Sequence, residues 1–529
     1  GTNNMRYDRL PAALGGNEYL AYYNEKKKNR REMIYVGAND GMMHAFNARI
    51  SLADATPAGR EMFAYVPTQV IPHLSNLSSK LYGKDNSHLH RYLVDGPIYT
   101  SDAYIGGRWR NILVGSLGAG GKGIYVLDVT DPDNFRASNV LFELTEAQYP
   151  ELGHITGLPV IAPTKDNRWK IFLGNGYNST KNGVARGYLG VIDIEDELNR
   201  ASNNGVGSTR TKFIATDSVT GTESALSQPA LLPDPKGYIT YAYAGDTRGN
   251  LWKFDLKAEA AGSWQASHGT TPLFVANKDG VRQPITASPT LGFNAEVSPA
   301  RVMVYFGTGR YVASDDNQPS TDVQSFYAVL DKLAAIPYSA SRATLHQKTI
   351  ASSSTANRRS INNELTAAKT NAVNWSAVDG WYLDFPANER VITKPLLLFD
   401  RLIFPTVIPS EDACESGGSG WMMELIAVGN TNLDYKVLGA NGNIKMDVAI
   451  FGQLTSLEGT YQKSPDSGSS GSASSGSGSS SSASNECGAA GGGSGVVAIV
   501  GIKSDGTQVS NTGGRPCELF NRQSWQELE

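Results

Sequence analysis

The sequence predicts an all-β fold, a modified β-propeller of about seven blades (roughly six to eight) with long inter-strand insertions, on three observations. First, the phrase "IYVGANDGMMHAFN" at Ile34–Asn47 returns as "YAYAGDTRGNLWKFD" at Tyr241–Asp255. Second, variants of this strand, turn, strand grammar recur at spacings of roughly 60 to 100 residues, longer than minimal propeller repeats. Third, helical periodicity is scarce, while 56 Gly and 24 Tyr suit a chain of turns and pleated strands. A single hairpin cannot bury its own apolar face. Radial stacking into a closed ring solves this and shields the strand edges.

In chain order, residues 1–33 read as a lead-in or domain boundary, and 34–529 as the propeller. The run "EKKKNRREM" at Glu25–Met33 is expected to be a solvated edge before the first strand. Ile34–Asn47 is the first hairpin, because Gly and Asn tolerate the positive φ of a tight turn while Val, Tyr and Phe favour the pleat. Further hairpins are expected at Asn111–Val129, Lys170–Ile194, Tyr241–Asp255, Met303–Asp331 and Pro395–Val428, with a weaker one at Val496–Gly506. "TEAQYPELG" (Thr145–Gly153) and "NNELTAAKTNAVNW" (Asn362–Trp375) lack a core helix's apolar stripe and read as short helices or irregular loops between strands. The Ser/Gly-rich tract 464–495 has almost nothing to bury and reads as a flexible insertion in the final blade. Strand-like sequence resumes after it, and Trp525 stands where a last strand would close the ring.

Composition excludes some partners. The net charge is −4, and no Lys/Arg stripe with interleaved aromatics is present, so nucleic acid is not an expected partner. No run of about 18 apolar residues occurs, so no membrane span is expected. The opening "GTNNMRYDRLP" carries no signal peptide and reads as an interior boundary, as if this were part of something larger. Cys414, Cys487 and Cys517 are too few and too odd in number to fix a disulfide framework, although one bridge is open to them in an oxidising compartment.

Motifs that suggest chemistry have simpler readings. "GAGGKG" (Gly118–Gly123) lacks the ending of a phosphate loop and a following helix, so it reads as a turn. His88 and His90 in "HLH" have metal-like spacing on one face of an expected strand, but no third ligand is near in sequence. No Gly-x-Ser-x-Gly elbow or HExxH is present, and no acid/base couple or catalytic residue is assigned. Asp40, Asp128, Asp193, Asp246 and Asp255 sit at turns and strand ends, where a carboxylate commonly accepts its own turn's N–H groups. Trp252, Trp381, Trp421 and Trp525 read as wedges between blades.

Taken in order, "YVGANDGMMHAFNA", "VGSLGAGGKGIYVLDVTDP", "GNGYNS", "YAYAGDTRGNLWKFDL", "QPITASPT", "FGTGRY" followed by "QSFY", "GWYLDFP" and "RQSWQEL" resemble the C-terminal domain of the PilC/PilY family of type IV pilus-tip proteins. The resemblance runs from about Ile34 to Glu527 and implies an extracellular propeller at a pilus tip, exported through the periplasm, with outer-membrane association left open. It implies a non-enzymatic factor that opposes retraction, contributes to twitching motility and attaches cells to surfaces. Its expected partners are major or minor pilins and host-cell or abiotic surface receptors.

The same resemblance implies calcium, held in a nine-residue loop just before the "YAYAGD" strand. The corresponding window here, "LPDPKGYIT" (Leu232–Thr240), keeps Asp234 at a ligand position. Leu232, Lys236 and Thr240 stand at the others, so the site is read as lost. A second window, "GANGNIKMD" (Gly439–Asp447), offers Asn441, Asn443, the Lys445 carbonyl and Asp447, a weak calcium set against which stands a plain Asn/Gly turn. Two rival functions remain: a quinone-dependent dehydrogenase, against which stand the lack of adjacent cysteines and of a repeated Trp pattern, and a secreted glycan-binding lectin.

Overall fold

The computed structural model describes residues 4–50, 56–84, 87–179, 181, 186–203, 205, 210–216, 224–318, 320–333, 340–351, 358–362, 373–398, 400–410, 418–428, 443–446, 454–460, 495–502 and 508–514. The chain divides into two compact units. The first comprises Gly1–Phe293, Arg301–Arg310 and Val329–Leu345, and the second Asn294–Ala300, Tyr311–Ala328 and His346–Glu529.

The first unit is a succession of antiparallel sheets. Strands β1 (Met33–Gly37), β2 (Met43–Asn47) and β3 (Glu61–Tyr65) form one, and β4 (Ile98–Ile105), β5 (Arg108–Ser116), β6 (Gly123–Asp128) and β7 (Val140–Thr145) the next. The repeated phrase makes the expected hairpins. Ile34 pairs with Phe46 across β1 and β2, and Ala242 pairs with Phe254 across β13 (Ile239–Gly245) and β14 (Asn250–Asp255). Between them, β8 (Val160–Thr164), β9 (Arg168–Gly174), β10 (Tyr188–Asp193) and β11 (Lys212–Ala215) form another antiparallel set. One parallel pairing, Ile239 with Thr164, joins it to the set containing β12 (Ala230–Pro233), β13, β14, β15 (Gln265–Ala266) and β16 (Phe274–Val275). A small ribbon of β17 (Asn277–Lys278) and β18 (Val281–Arg282) follows, and then β19 (Thr290–Asn294) and β20 (Arg301–Gly307); of β21 (Ser325–Asp331), Val329–Asp331 belong to this unit and Ser325–Ala328 to the second.

In the second unit, β22 (His346–Ile350) runs parallel to β25 (Gly380–Asp384) and antiparallel to β24 (Ile361–Asn362). The order β23 (Arg358–Arg359), β29 (Asn443–Met446), β28 (Gly420–Ile426), β27 (Arg401–Pro405), β26 (Leu396–Leu398) makes a second sheet. Strands β30 (Thr455–Thr460), β31 (Gly495–Ile502) and β32 (Gln508–Gly514) make a third. Trp381 and Trp421 are buried here, and Phe326 stacks on Phe404 at 4.1 Å between ring centres. Arg359 lies over the Trp421 ring at 4.0 Å while gripping Glu389 through two bonds of 2.6 and 2.7 Å.

The first 33 residues depart most from expectation. Helix α1 (Gly16–Glu25) begins after Gly15, whose φ of 82° suits glycine. A Cβ at Gly15 would stand 2.3 Å from the Tyr104 ring. Tyr19 and Tyr22, three apart and hence on one helical face, are buried against Trp109, which donates to the Gly15 carbonyl at 2.8 Å. The basic run after α1 is a solvated edge only in part: Lys26, Lys28 and Asn29 are exposed, but Lys27 and Arg30 turn inward. Lys27 and Arg30 are only 3% and 7% exposed. Lys27 bonds to Asp102 on β4, and Arg30 donates twice to the Val129 carbonyl at 3.0 and 2.8 Å. A run of like charges ordinarily prefers water, but here distant acceptors compensate the lost solvation, and no local pattern could announce them.

Helix α2 (Ile194–Ser202) was likewise not expected. Its cap is local, however: the Asp193 carboxylate accepts the Asp196 N–H at 2.8 Å, and Glu195, Asp196 and Glu197 fill the first turn. Thr145 ends β7, and residues 146–153 are turns and irregular backbone with no helix. In Asn362–Trp375, residues 363–372 lie outside the described residues, as do Cys414, Cys487, Cys517, Trp525 and all but Gly495 of the Ser/Gly tract.

Candidate functional site

The β12–β13 turn is where the family resemblance would place calcium, and its geometry is closed. Asp234 Oδ1 accepts the N–H groups of Lys236 and Tyr238 at 2.9 and 3.1 Å, and the Asp234 N–H donates to the Tyr238 carbonyl at 2.8 Å. Its other oxygen faces the Lys165 ammonium at 3.8 Å. Thr240 Oγ1 donates to the Leu232 carbonyl at 3.0 Å. A turn with one carboxylate, already answered by its own backbone and a lysine, does not supply the six to eight hard oxygens that calcium takes. These residues do not fit the ion.

Of the second window, Asn443 and Lys445 lie on β29, where Asn443 pairs with Arg359 and Lys445 with Trp421. Asn441 and Asp447 lie outside the described residues. Among the described residues, no group of three or more His, Cys, Asp or Glu converges as a metal set.

The aspartates at the turns are held by their surroundings. Asp40 accepts the Met42 N–H at 2.9 Å, Asp128 the Thr130 N–H at 3.1 Å and Asp255 the Lys257 N–H at 3.0 Å. Asp193 caps α2 and binds Lys170 at 2.5 Å. Asp246 is fully buried in the β13–β14 turn and accepts from the N–H groups of Arg248 and Asn250 and from the Trp252 indole. An open cleft of about 370 Å³ between β11 and β15 is lined by Phe213, Ile214 and Trp264, with Lys212 its one titratable side chain. It carries no acid/base couple.

His44, on β2, is a feature that sequence reading missed. Its Nδ1 lies 2.7 Å from Glu61 and its Nε2 2.9 Å from Asp40, so two carboxylates face both ring nitrogens. The bond to Glu61 is the largest cause of a raised pKa, burial opposes it, and Asp40 adds to it. A raised folded-state pKa stabilises the fold below the ordinary histidine value, and that stabilisation is lost as pH rises through the raised value. The midpoint of thermal unfolding should therefore fall as pH rises from about 6 to about 8. His44→Gln should flatten this segment of the profile. An unchanged slope in the variant would assign the dependence to other groups.

His88 and His90 lie in a loop of turns and bends rather than on a strand. The His90 ring sits between Tyr82 and Tyr92, at 5.8 and 5.3 Å from their ring centres, packed as an aromatic side chain. The loop belongs to a long insertion between β3 and β4. Its base is fixed by buried Val70 and Leu93 and by Glu143 of β7, which accepts the Thr68 N–H at 2.9 Å and its hydroxyl at 3.1 Å.

Comparison with known proteins agrees with these sheets. A profile of the PilY1 beta-propeller domain matches residues 4–354. The chain is 36% identical over 433 residues to a type IV pilus biogenesis factor PilY1 homolog of Xylella fastidiosa, an alignment covering 77% of this chain and 27% of that protein. It is 32% identical over 507 residues to type IV pilus biogenesis factor PilY1 of Pseudomonas aeruginosa PAO1, covering 86% of this chain and 41% of that protein. The chain thus spans well under half the length of these relatives. The crystal structure of the P. aeruginosa PilY1 C-terminal domain superposes with a TM-score of 0.65 at 27% identity, over 86% of this chain and 94% of that domain. The fold is a β-propeller, and the chain belongs to the PilY1 β-propeller domain family.

Proposed function

We propose that the chain is the propeller of a type IV pilus biogenesis factor: a non-catalytic assembly and adhesion module that supports pilus extension against retraction, twitching motility and attachment to host or abiotic surfaces. The observation that carries this reading is the match over 86% of the chain to a protein named for pilus biogenesis. The fold is compatible with it. Strands closed by buried charges and aromatics hold still, while long insertions are free to present binding surfaces. Major or minor pilins are the proposed docking partners, and the pilus tip the proposed location.

Deleting this segment from the full-length protein in its own pilus-bearing host should remove surface pili and twitching. Deleting the retraction motor as well should restore pili. Normal piliation after the first deletion would overturn the proposal. The dehydrogenase reading is tested by adding quinone and calcium and following dye-linked alcohol oxidation, where turnover would replace the adhesin reading.

Calcium is proposed at Asn441, Asn443, Lys445 and Asp447, with the roughly millimolar affinity that one carboxylate among neutral ligands provides. Calorimetric titration should give heat with the chain and none with Asp447→Ala. Heat that survives in the variant, or none in either, would sink the assignment.

A further inference from the structure

We propose that residues 79–84 and 87–92 of the β3–β4 insertion form a membrane-surface contact that takes anionic phospholipid headgroups. This inference stands on the loop itself and does not depend on the pilus reading. The base of the insertion is anchored: Val70 and Leu93 are buried, Leu74 and Leu77 pack against the same cluster, and the Leu93 N–H donates to Asn39 at 3.0 Å. Its far end reverses that pattern. Leu81, Leu89 and Tyr92 are 48%, 62% and 53% exposed, although a large apolar side chain gains by leaving water.

The excursion is not slack chain. The Gly83 N–H donates to the His88 carbonyl at 2.6 Å and the Lys84 N–H to the Leu81 carbonyl at 2.8 Å. The Arg91 N–H donates to the Tyr82 hydroxyl at 3.1 Å, and the His90 ring packs tilted against Tyr82 and edge-on against Tyr92. Local structure therefore holds the apolar side chains outward rather than tucking them in.

Charge selects the kind of surface. Residues 68–94 carry Lys80, Lys84 and Arg91, and His73, His88 and His90 of the chain's 7 histidines, against the single acid Asp85. The chain as a whole has a net charge of −4. A positive segment with exposed leucines on a negative protein is complementary to an anionic layer with an apolar interior. In such a layer Lys and Arg sit at the phosphates, Tyr at the interface and Leu just below. Three half-exposed side chains present at most a few hundred Å² of apolar surface, on the order of the largest patch of a typical monomer. That falls short of the ~800 Å² per partner of a stable protein interface, but shallow insertion into a bilayer needs no more.

The test is vesicle partitioning of the whole chain. Phosphatidylcholine vesicles containing one-third phosphatidylglycerol should bind about tenfold more tightly than pure phosphatidylcholine, and less tightly as salt rises. Leu81→Ser with Leu89→Ser should lower binding to the anionic vesicles about tenfold. Lys80→Gln, Lys84→Gln and Arg91→Gln together should erase the preference for anionic lipid. The substituted side chains are solvent-facing, so circular dichroism and the thermal midpoint should be retained, which separates lost binding from lost folding. Equal binding to both vesicle types, no binding to either, or binding unaffected by the variants would overturn the proposal. So would capture of a polyglutamate peptide without vesicle binding, which would make the excursion a protein-docking element.

Discussion

Asp102→Ala should destabilise the first unit by about 3–5 kcal/mol, because it strands a buried ammonium. Asp102 is fully buried on β4. Besides Lys27 it accepts from the Tyr19 hydroxyl at 2.9 Å, the Tyr22 hydroxyl at 3.3 Å and the Asn111 amide at 2.9 Å. Burial first, and the Asp102 charge second, push both phenols well above the ordinary tyrosine range, so both remain donors at every physiological pH. Removing the carboxylate leaves one cation and three neutral donors without their acceptor in a place that water does not reach. Lys27→Met should cost less, since the carboxylate keeps its three neutral donors. The decisive variant is Lys27→Met with Asp102→Leu, which removes both charges and should be more stable than Asp102→Ala alone. Denaturant unfolding followed by tryptophan fluorescence reads this directly, because Trp109 lies 4.7 Å from the Tyr19 ring centre. Simple addition of the effects of Lys27→Met and Asp102→Leu, each also measured alone, would show that the residues are not coupled.

Asp246→Ala should have an effect of similar size, about 3–5 kcal/mol, by a different route. Four donors converge on this carboxylate within 2.8 to 2.9 Å: the N–H groups of Arg248 and Asn250, the Asn250 amide and the Trp252 indole. Ser224 adds a longer contact at 3.4 Å. Alanine would leave all of them without this acceptor, the Asn250 and Trp252 donors fully buried. Asp246→Asn is the sharper test, because its amide N–H₂ would meet the Asn250 and Trp252 donors face on; a loss of about 1–3 kcal/mol is expected. Burial, the largest cause, raises the Asp246 pKa, and the converging donors oppose it. By linkage, this group favours the fold below its unfolded value, and that contribution is lost as pH rises through the raised folded value. The wild type should thus gain on the asparagine variant less at neutral pH than under mild acid. An asparagine variant as stable as wild type at both pH values would show that the donors do not depend on the charge.

The two turns also show how far reading the chain could go. In "GDTRGN" an Asp followed by Gly and Asn announces a turn that binds itself, and Asp246 does so. At "LPDPKGYIT" the residue types around Asp234 argue against a calcium loop, but that its carboxylate accepts from the Lys236 and Tyr238 N–H groups is visible only in the structure. Helix α2 was legible in principle from Asp193 and the three acids after it, but the hairpin pattern claimed that stretch first. Helix α1 has a weaker signal: its tyrosines mark a buried face only once Trp109 is known to lie beneath them. The carboxylate clamp on His44 had half a signal, since Asp40 is four residues away but Glu61 arrives from the next strand.

The amino-acid order alone determined the all-β class, the positions of most of the hairpins and the family, because alternating β-formers and Gly/Asn turns act within a few residues of themselves. Only the tertiary structure decided which charges leave water. Lys27 and Arg30 read as a solvated run, yet Asp102 and the Val129 carbonyl reach them from 75 and 99 residues away. Leu81 and Leu89 are apolar by type, yet they face solvent. Backbone preference is a local property, whereas burial depends on which distant residues fold over a side chain.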